Sequence, residues 1–266
     1  MLEQKEISYE MKLLSSLAKV FQDETPVYLP ECLKLSALWG ETVSFQAAYT
    51  GDCVTRECLD VRVVSPIERY VRVRTVEQVP VGRAVNELVD DNYLRTSPGL
   101  YPDLLRDMKD GKVVVCSRQW KSLWIDVDVT EEVEAGDYTV EIQLVKEDAV
   151  VCSAVMKLEV IGVRLPKLEI MHTEWFHADC LADYYHVEVF SEEHCKLIEN
   201  YFHEYVLRGC NMMMVPLFTS PLDTAVGLDR TTTQLVEVEV KEGEYRFGFD
   251  KLKRWIDLCR SCGIEY

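Results

Sequence analysis

The chain has 266 residues, 48% of them hydrophobic and 28% charged, which is a folded-protein composition and excludes intrinsic disorder. Its 46 acidic residues against 29 basic ones leave a formal charge of −17, which would repel a phosphate backbone; no nucleic-acid or anionic-membrane partner is expected. The start, Met1-Leu2-Glu3-Gln4-Lys5-Glu6, is not a signal peptide, and no apolar run of about 18 residues occurs, so the expected location is cytoplasmic with no membrane span. The ten cysteines are accordingly expected to be reduced and mostly buried thiols.

From about residue 41 to 161 apolar residues recur with period two, the period of a strand with one buried face. Val43, Phe45, Ala47 and Tyr49 alternate with polar or small residues, as do Leu59, Val61 and Val63 and then Val71 and Val73. Leu123, Ile125, Val127 and Val129 repeat the pattern, followed by Tyr138, Val140, Ile142 and Leu144, and by Ala154, Met156, Leu158 and Val160. Many short half-buried strands without helices between them predict an antiparallel β-sandwich over residues 1–163. Leu88 to Asp110 breaks the alternation and reads as a long loop with one helical turn.

After Leu165-Pro166 the period changes, and residues 164–266 read as a second domain of α/β type. Leu168–Thr173 is expected as a short apolar strand. Ser191 is placed as the N-cap of a helix that aligns Ile198, Tyr201, Phe202 and Tyr205 on one face and stops at Gly209. Met212–Phe218 is continuously apolar, as in a parallel strand buried on both faces. Residues 235–247 alternate around Glu242-Gly243, predicting a hairpin, and a helix from Asp250 is expected to bury Leu252, Ile256 and Cys259 with Trp255 alongside. Strand, helix, strand, hairpin and helix are the first two β/α units of a (β/α)8 barrel; a complete barrel needs about 250 residues, so an incomplete, truncated barrel is expected. An open edge on such a fragment would favour self-association.

Several chemical signatures fail. All five histidines lie between His172 and His203, but His203-Glu204 does not continue into HExxH and no H-x-H pair occurs, so no metal and no cofactor is expected. His194 and His203 are expected on the surface or flank of the helix. Cys259-Arg260-Ser261-Cys262 is a CxxC at the C-terminal end of a helix, where the dipole does not activate a thiol. Nucleotide-binding and serine-hydrolase motifs are missing from the sequence.

The segment Met171 to Cys180 is the richest. If it follows the first strand, Glu174, Trp175, His177 and Asp179 emerge at the strand's carboxyl end, where barrel sites form. Trp offers a flat face to a sugar ring and the polar groups bond its hydroxyls, so these four are candidate substrate-binding residues. Thr219 and Asp223, at the end of the second strand, are expected to face the same cleft.

These residues carry a resemblance. His172-Thr173-Glu174-Trp175-Phe176-His177-Ala178-Asp179, then Pro216-Leu217-Phe218-Thr219 with Pro221-Leu222-Asp223-Thr224, then Tyr245-Arg246-Phe247-Gly248-Phe249-Asp250, resemble glycoside hydrolase family 123 and the bacterial DUF4091 proteins. In the first half Trp39-Gly40-Glu41, Ser44-Phe45-Gln46, Tyr101-Pro102-Asp103, Leu123-Trp124 and Ala135-Gly136-Asp137-Tyr138 are similar to that family's sandwich domain. The resemblance implies a β-N-acetylgalactosaminidase that acts by substrate-assisted retention, with a sandwich before a (β/α)8 barrel and an N-acetylhexosamine-containing glycan as partner. The family's catalytic pair is a tandem Asp-Glu farther along the barrel. The sole tandem here, Asp23-Glu24, lies in the N-terminal part, so no catalytic residue is carried over and the chain is expected to be inactive alone. The alternative is a non-catalytic carbohydrate-binding or scaffolding sandwich.

Overall fold

The computed structural model describes residues 7–27, 29–85, 92–167, 169–218, 226–227 and 229–266. The chain divides into two compact units, Met1–Leu165 and Pro166–Tyr266. Among the described residues no helix is long and apolar enough to cross a membrane.

In the first unit the alternating sequences form β1 (Tyr9–Ser15), β2 (Lys34–Trp39), β3 (Glu41–Gly51), β4 (Glu57–Val64) and β5 (Val71–Val81). They continue as β6 (Gly99–Asp107), β7 (Lys112–Val115), β8 (Lys121–Val129), β9 (Gly136–Lys146) and β10 (Ala149–Arg164). Two five-stranded sheets result, in the orders β1-β3-β8-β5-β6 and β2-β10-β9-β4-β7. The inward residues of both sheets share one core: Phe45, Leu123 and Ile125 from the first meet Leu59, Ile142, Leu144 and Leu158 from the second, all without solvent exposure beyond 1%. Facing sheets that interdigitate in this way form a sandwich.

Two features depart from the sequence reading. The sheets are not wholly antiparallel, because β2 runs parallel to β10, pairing Leu35 with Leu158. The chain crosses from one sheet to the other before and after β2, and a strand that arrives by crossover can enter in either direction. Secondly, the expected loop of residues 88–110 contains β6, which pairs with β5 from Val81↔Gly99 to Arg74↔Asp107. Its Pro102 hid it from the alternation test, and a proline is tolerated there because β6 is an edge strand. Residues 88–91 of that stretch lie outside the described residues.

The segment between β1 and β2 covers the outer face of the first sheet. Val20 packs with Leu14, Ala48 and Trp120 in a small separate core. Gln46, on the outward side of β3, is nevertheless buried, because its amide nitrogen donates to the carbonyls of Ser15, Ser16 and Ala18 at 3.2, 3.3 and 2.7 Å.

The second unit contains α1 (Ala178–Tyr185), α2 (Glu192–Leu207), the hairpin of β11 (Glu237–Lys241) and β12 (Glu244–Gly248), and α3 (Asp250–Ser261). Ser191 caps α2 as expected, its hydroxyl accepting from the His194 N–H at 3.2 Å, and Gly209 follows the helix at φ +85°. Ile198 and Phe202 are buried; Tyr201, expected beside them, is exposed, and its hydroxyl lies 3.4 Å from that of Tyr185. On α3, Trp255 and Cys259 are the buried residues, while Leu252 and Ile256 are half-buried. Phe202 is the hub of the core, with ring centroids 5.1 Å from Phe176 and 5.3 Å from Trp255, both edge-on.

The expected barrel strands take another form. No strand is assigned within 169–173 or 212–218, and Leu168 is not among the described residues. Extended segments are instead joined by a few lateral bonds: the His172 carbonyl accepts from Asn211 and Met212, the Asn211 carbonyl accepts from Glu265 and Tyr266, and Met213 N–H donates to the Tyr266 carbonyl, all at 2.9–3.1 Å. The Asn211 side chain extends this contact, accepting from His172 N–H at 2.8 Å and donating to the Ile170 carbonyl at 3.0 Å. Met213 is buried, but Met214, Val215, Leu217 and Phe218 are exposed, so the run is not buried on both faces. A parallel strand needs cover above and below its sheet, and the helical core reaches only the Met213 side.

Candidate functional site

The candidate residues lie where the segment ending at Thr173 turns into α1. The turn is pinned by Tyr205 of α2: its hydroxyl accepts from Glu174 N–H at 2.8 Å and lies 2.8 Å from the Met212 carbonyl it bonds. The Thr173 hydroxyl is a further neighbour at 3.1 Å. One phenol from the helix face therefore holds the ends of two extended segments together. Beyond it Glu174 and Trp175 are exposed, Glu174 with the His172 imidazole at 3.4 Å and Trp175 with 60% of its surface open.

His177 and Asp179 come together through a residue that the sequence reading did not single out. Arg230 donates from Nε and a terminal nitrogen to the two carboxylate oxygens of Asp179, at 2.6 and 3.0 Å, and the same terminal nitrogen lies 2.5 Å from His177 Nδ1. The pair is largely withdrawn from water, with side-chain exposures of 13% for Arg230 and 8% for Asp179. Such a fork-to-fork geometry fixes both planes. An arginine has only donors, so Nδ1 of His177 acts as acceptor and the imidazole carries its proton on Nε2. Next to it the Thr231 hydroxyl donates to Asp183 at 2.6 Å, which ties the residues after Arg230 to α1 a second time.

Arg230 lies in Asp229-Arg230-Thr231-Thr232-Thr233, a polar stretch without periodicity or motif. No signal in the sequence joins Arg230 to Asp179, because the burial of that carboxylate is known only from the fold. Thr219 and Asp223, the remaining candidates, lie outside the described residues.

His194 corrects an expectation. It is fully buried rather than on the helix surface. Its Nδ1 accepts from Phe190 N–H at 3.0 Å and its Nε2 faces the Ala178 carbonyl at 2.9 Å, so the ring bridges the start of α2 to the start of α1. A buried imidazole with both nitrogens bonded is a structural tie. Cys259 and Cys262 are likewise buried; burial pushes the Cys259 thiol up to about 12, the opposite of an activated redox cysteine. Among the described residues no group of three His, Cys, Asp or Glu side chains converges on a point that could hold a metal ion.

The family described as the glycoside hydrolase 123 catalytic domain matches residues 175–266. No curated protein sequence matches the chain. Among solved structures, a family 123 glycoside hydrolase from Clostridium perfringens, studied for glycolipid glycan hydrolysis, aligns with a TM-score of 0.71 at 14% identity, covering 97% of this chain and 46% of that one. The chain thus spans about half the length of that enzyme. A β-glucosidase from Listeria innocua, at 14% identity over 60% of this chain and 17% of its own, has a TM-score of 0.27. The N-terminal domain of PorA, at 10% identity over 58% of this chain and 99% of its own, has 0.28; neither is close enough to bear on the fold. By sequence over residues 175–266 and by fold over 97% of its length, the chain is similar to glycoside hydrolase family 123.

Proposed function

We propose that the Pro166–Tyr266 unit is the beginning of a glycoside hydrolase catalytic barrel and binds an N-acetylhexosamine-containing glycan. The observation that carries this reading is the Asp179–Arg230–His177 constellation, with exposed Trp175 two residues before His177 in the chain, inside the segment that matches the catalytic domain. The segments ending at Thr173 and near Pro216 take the places of the first two barrel strands, and their carboxyl ends form the binding rim.

The residues divide the work by their chemistry. Trp175 supplies the flat apolar surface for the carbon–hydrogen face of a sugar ring, and Glu174 supplies acceptors for its hydroxyls. His177 is fixed in orientation by its contact with Arg230. Asp179 is a positioning residue, because both carboxylate oxygens are engaged by Arg230 and it acts on the sugar through the orientation of that side chain and of His177. The reaction proposed for the complete catalytic domain is hydrolysis of β-N-acetylgalactosaminides or related glycans by substrate-assisted retention. Residues 166–266 contain no tandem Asp-Glu, so no general acid is assigned within them.

Ligand-observed NMR tests the binding role. Saturation transfer to N-acetylgalactosamine is expected with the native chain, and its loss with Trp175→Ala, while glucose shows none. Equal transfer to both sugars, or full transfer with Trp175→Ala, would sink the proposal. Release of p-nitrophenol from a β-N-acetylgalactosaminide by the chain alone would overturn the absence of an acid.

A further inference from the structure

The inward face of the first sheet changes character at one end. Phe45 and Ala47 of β3 and Leu123 of β8 line the core, but the next inward residue of β3 is Tyr49, directly opposite Lys121. Thr75 of β5 lies opposite Leu123 on one side and Arg106 of β6 on the other, and residues directly opposite in a sheet share a face, so Arg106 points inward too. The register of β5 against β6 shifts between Val76 and Gln78, and Glu77 at this bulge accepts from the Thr75 hydroxyl at 2.8 Å. A face that is apolar over the rest of the sheet thus ends in a phenol, two cations and a carboxylate.

These side chains line a cleft of about 460 Å³, a size suited to a small ligand. What marks it is not open surface but buried polar groups left unpaired. Tyr49 is 2% exposed, and its hydroxyl has no hydrogen-bond partner among the described residues. Burial first, and the Glu77 carboxylate second, push this phenol above its ordinary range, so it keeps its proton and is a donor. Gln78 Oε1, in the same cleft, is a buried acceptor without a partner, while the amide nitrogen of that side chain donates to the Val20 carbonyl at 3.2 Å. A buried donor and a buried acceptor that open on one cleft cost stability until something bonds them.

The charge of the cleft runs against that of the chain. The whole carries −17, yet Arg106, Lys109 and Lys121 line the cleft with no ion-pair partner among the described residues. Two further charged residues of the lining are already engaged, Lys112 with Asp60 at 3.3 Å and Asp107 with Arg72 at 2.9 Å. Glu77 alone is left to offset three cations, so the cleft favours a negative group on its ligand. Glu77 and Gln78 Oε1 are acceptors, however, and they call for hydroxyl donors on that same ligand. A simple carboxylate has none to give. A sugar acid has both the charge and the hydroxyls.

We propose that this cleft binds a sugar acid of the hexuronate type, its carboxylate held by Lys121 and Arg106 and its hydroxyls by Tyr49, Glu77 and Gln78. Charge-assisted bonds to the ammonium and guanidinium groups supply the affinity, and the buried phenol and the two acceptors select a hydroxylated ring over a bare acid. Every residue of the site belongs to the Met1–Leu165 unit, so the proposal is independent of the function assigned above to Pro166–Tyr266.

Calorimetric titration of the full chain with glucuronate, glucose and acetate tests this. Glucuronate is expected to bind, and glucose and acetate each to bind roughly tenfold more weakly, since each lacks half of the recognised chemistry. Lys121→Gln and Arg106→Gln should each weaken glucuronate about tenfold, and Tyr49→Phe, which leaves its ring in the core, about threefold. Lys121→Arg keeps the charge and should retain binding. An unchanged far-UV β signal checks the fold of each variant; if a glutamine variant unfolds, the comparison of Tyr49→Phe with the native chain decides. Equal affinity for glucose would remove the role of the cations and overturn the proposal. Equal affinity for acetate would reduce the cleft to an ion site and overturn it as well. Glucuronate binding that survives all three weakening substitutions lies elsewhere on the chain, and absence of glucuronate binding refutes the site outright.

Discussion

The two units bury their apolar residues in different ways. In the first, each sheet is the cover of the other, and Phe45, Leu123, Ile142 and Leu158 reach complete burial from alternating sequences that leave the opposite faces polar. In the second, a small core around Phe202 and Trp255 coexists with exposed Met214, Val215, Leu217 and Phe218 and with the open hairpin face. Strand alternation completes its own core whenever two sheets meet, whereas a continuous apolar run completes it only where helices cover both sides. The first unit thus closes its own core, while the second leaves part of its apolar surface open.

The contrast can be broken most strongly at Phe202. Phe202→Ala removes the ring that joins α2 to Phe176 and Trp255 and should cost about 3–5 kcal/mol. The expected thermal melt is split, with the far-UV helical signal lost early and the far-UV β signal persisting to the native transition. A single shifted transition would mean that the two units unfold as one.

Alkaline titration sharpens the same boundary. An ordinary thiol ionises near 9.0, but burial holds Cys259 up to about 12. Between those values the unfolded chain releases the proton and the folded one keeps it, so stability contributed by the buried neutral thiol is complete below 9.0 and declines as pH rises. Denaturant midpoints followed by the far-UV helical signal should fall between pH 8 and 10 in the native chain and fall less in Cys259→Ala. Equal slopes would contradict the assignment.

The smallest expected effect lies in the sandwich. Lys146 pairs with Ala149 across the two-residue turn Glu147-Asp148, whose φ values of +48° and +69° are left-handed in both residues. This type of turn favours Asn-Gly, and non-glycine residues there cost about 1–2 kcal/mol each. Glu147→Asn with Asp148→Gly should therefore raise stability by about 1 kcal/mol, read as a higher denaturant midpoint for the β signal with that of the helical signal unchanged.

The legible parts of the fold were those in which one local rule sufficed. Alternation located β3, β4, β8, β9 and β10, Ser191 and Gly209 bounded α2, and Glu242-Gly243 announced the hairpin. β1 and β2 escaped because their alternation is short, and β6 because Pro102 interrupts it. α1 escaped because only eight residues form it and His177 offers no side-chain cap. In the candidate site Glu174, Trp175, His177 and Asp179 could be picked out by residue type beside an expected strand end, but nothing local connects Asp179 to Arg230 or Tyr205 to Glu174.

Periodicity was enough to establish a β-rich first half and a second half of α/β type, and short motifs such as His172–Asp179 and Tyr245–Asp250 carried the resemblance to glycoside hydrolase family 123, because each depends on residues close together along the chain. The parallel pairing of β2 with β10, the burial of His194 and the capture of Asp179 and His177 by Arg230 emerged on folding. Those features join residues on different elements, from 16 positions apart for His194 and Ala178 to more than 100 for β2 and β10, and they form only once the surrounding elements have packed.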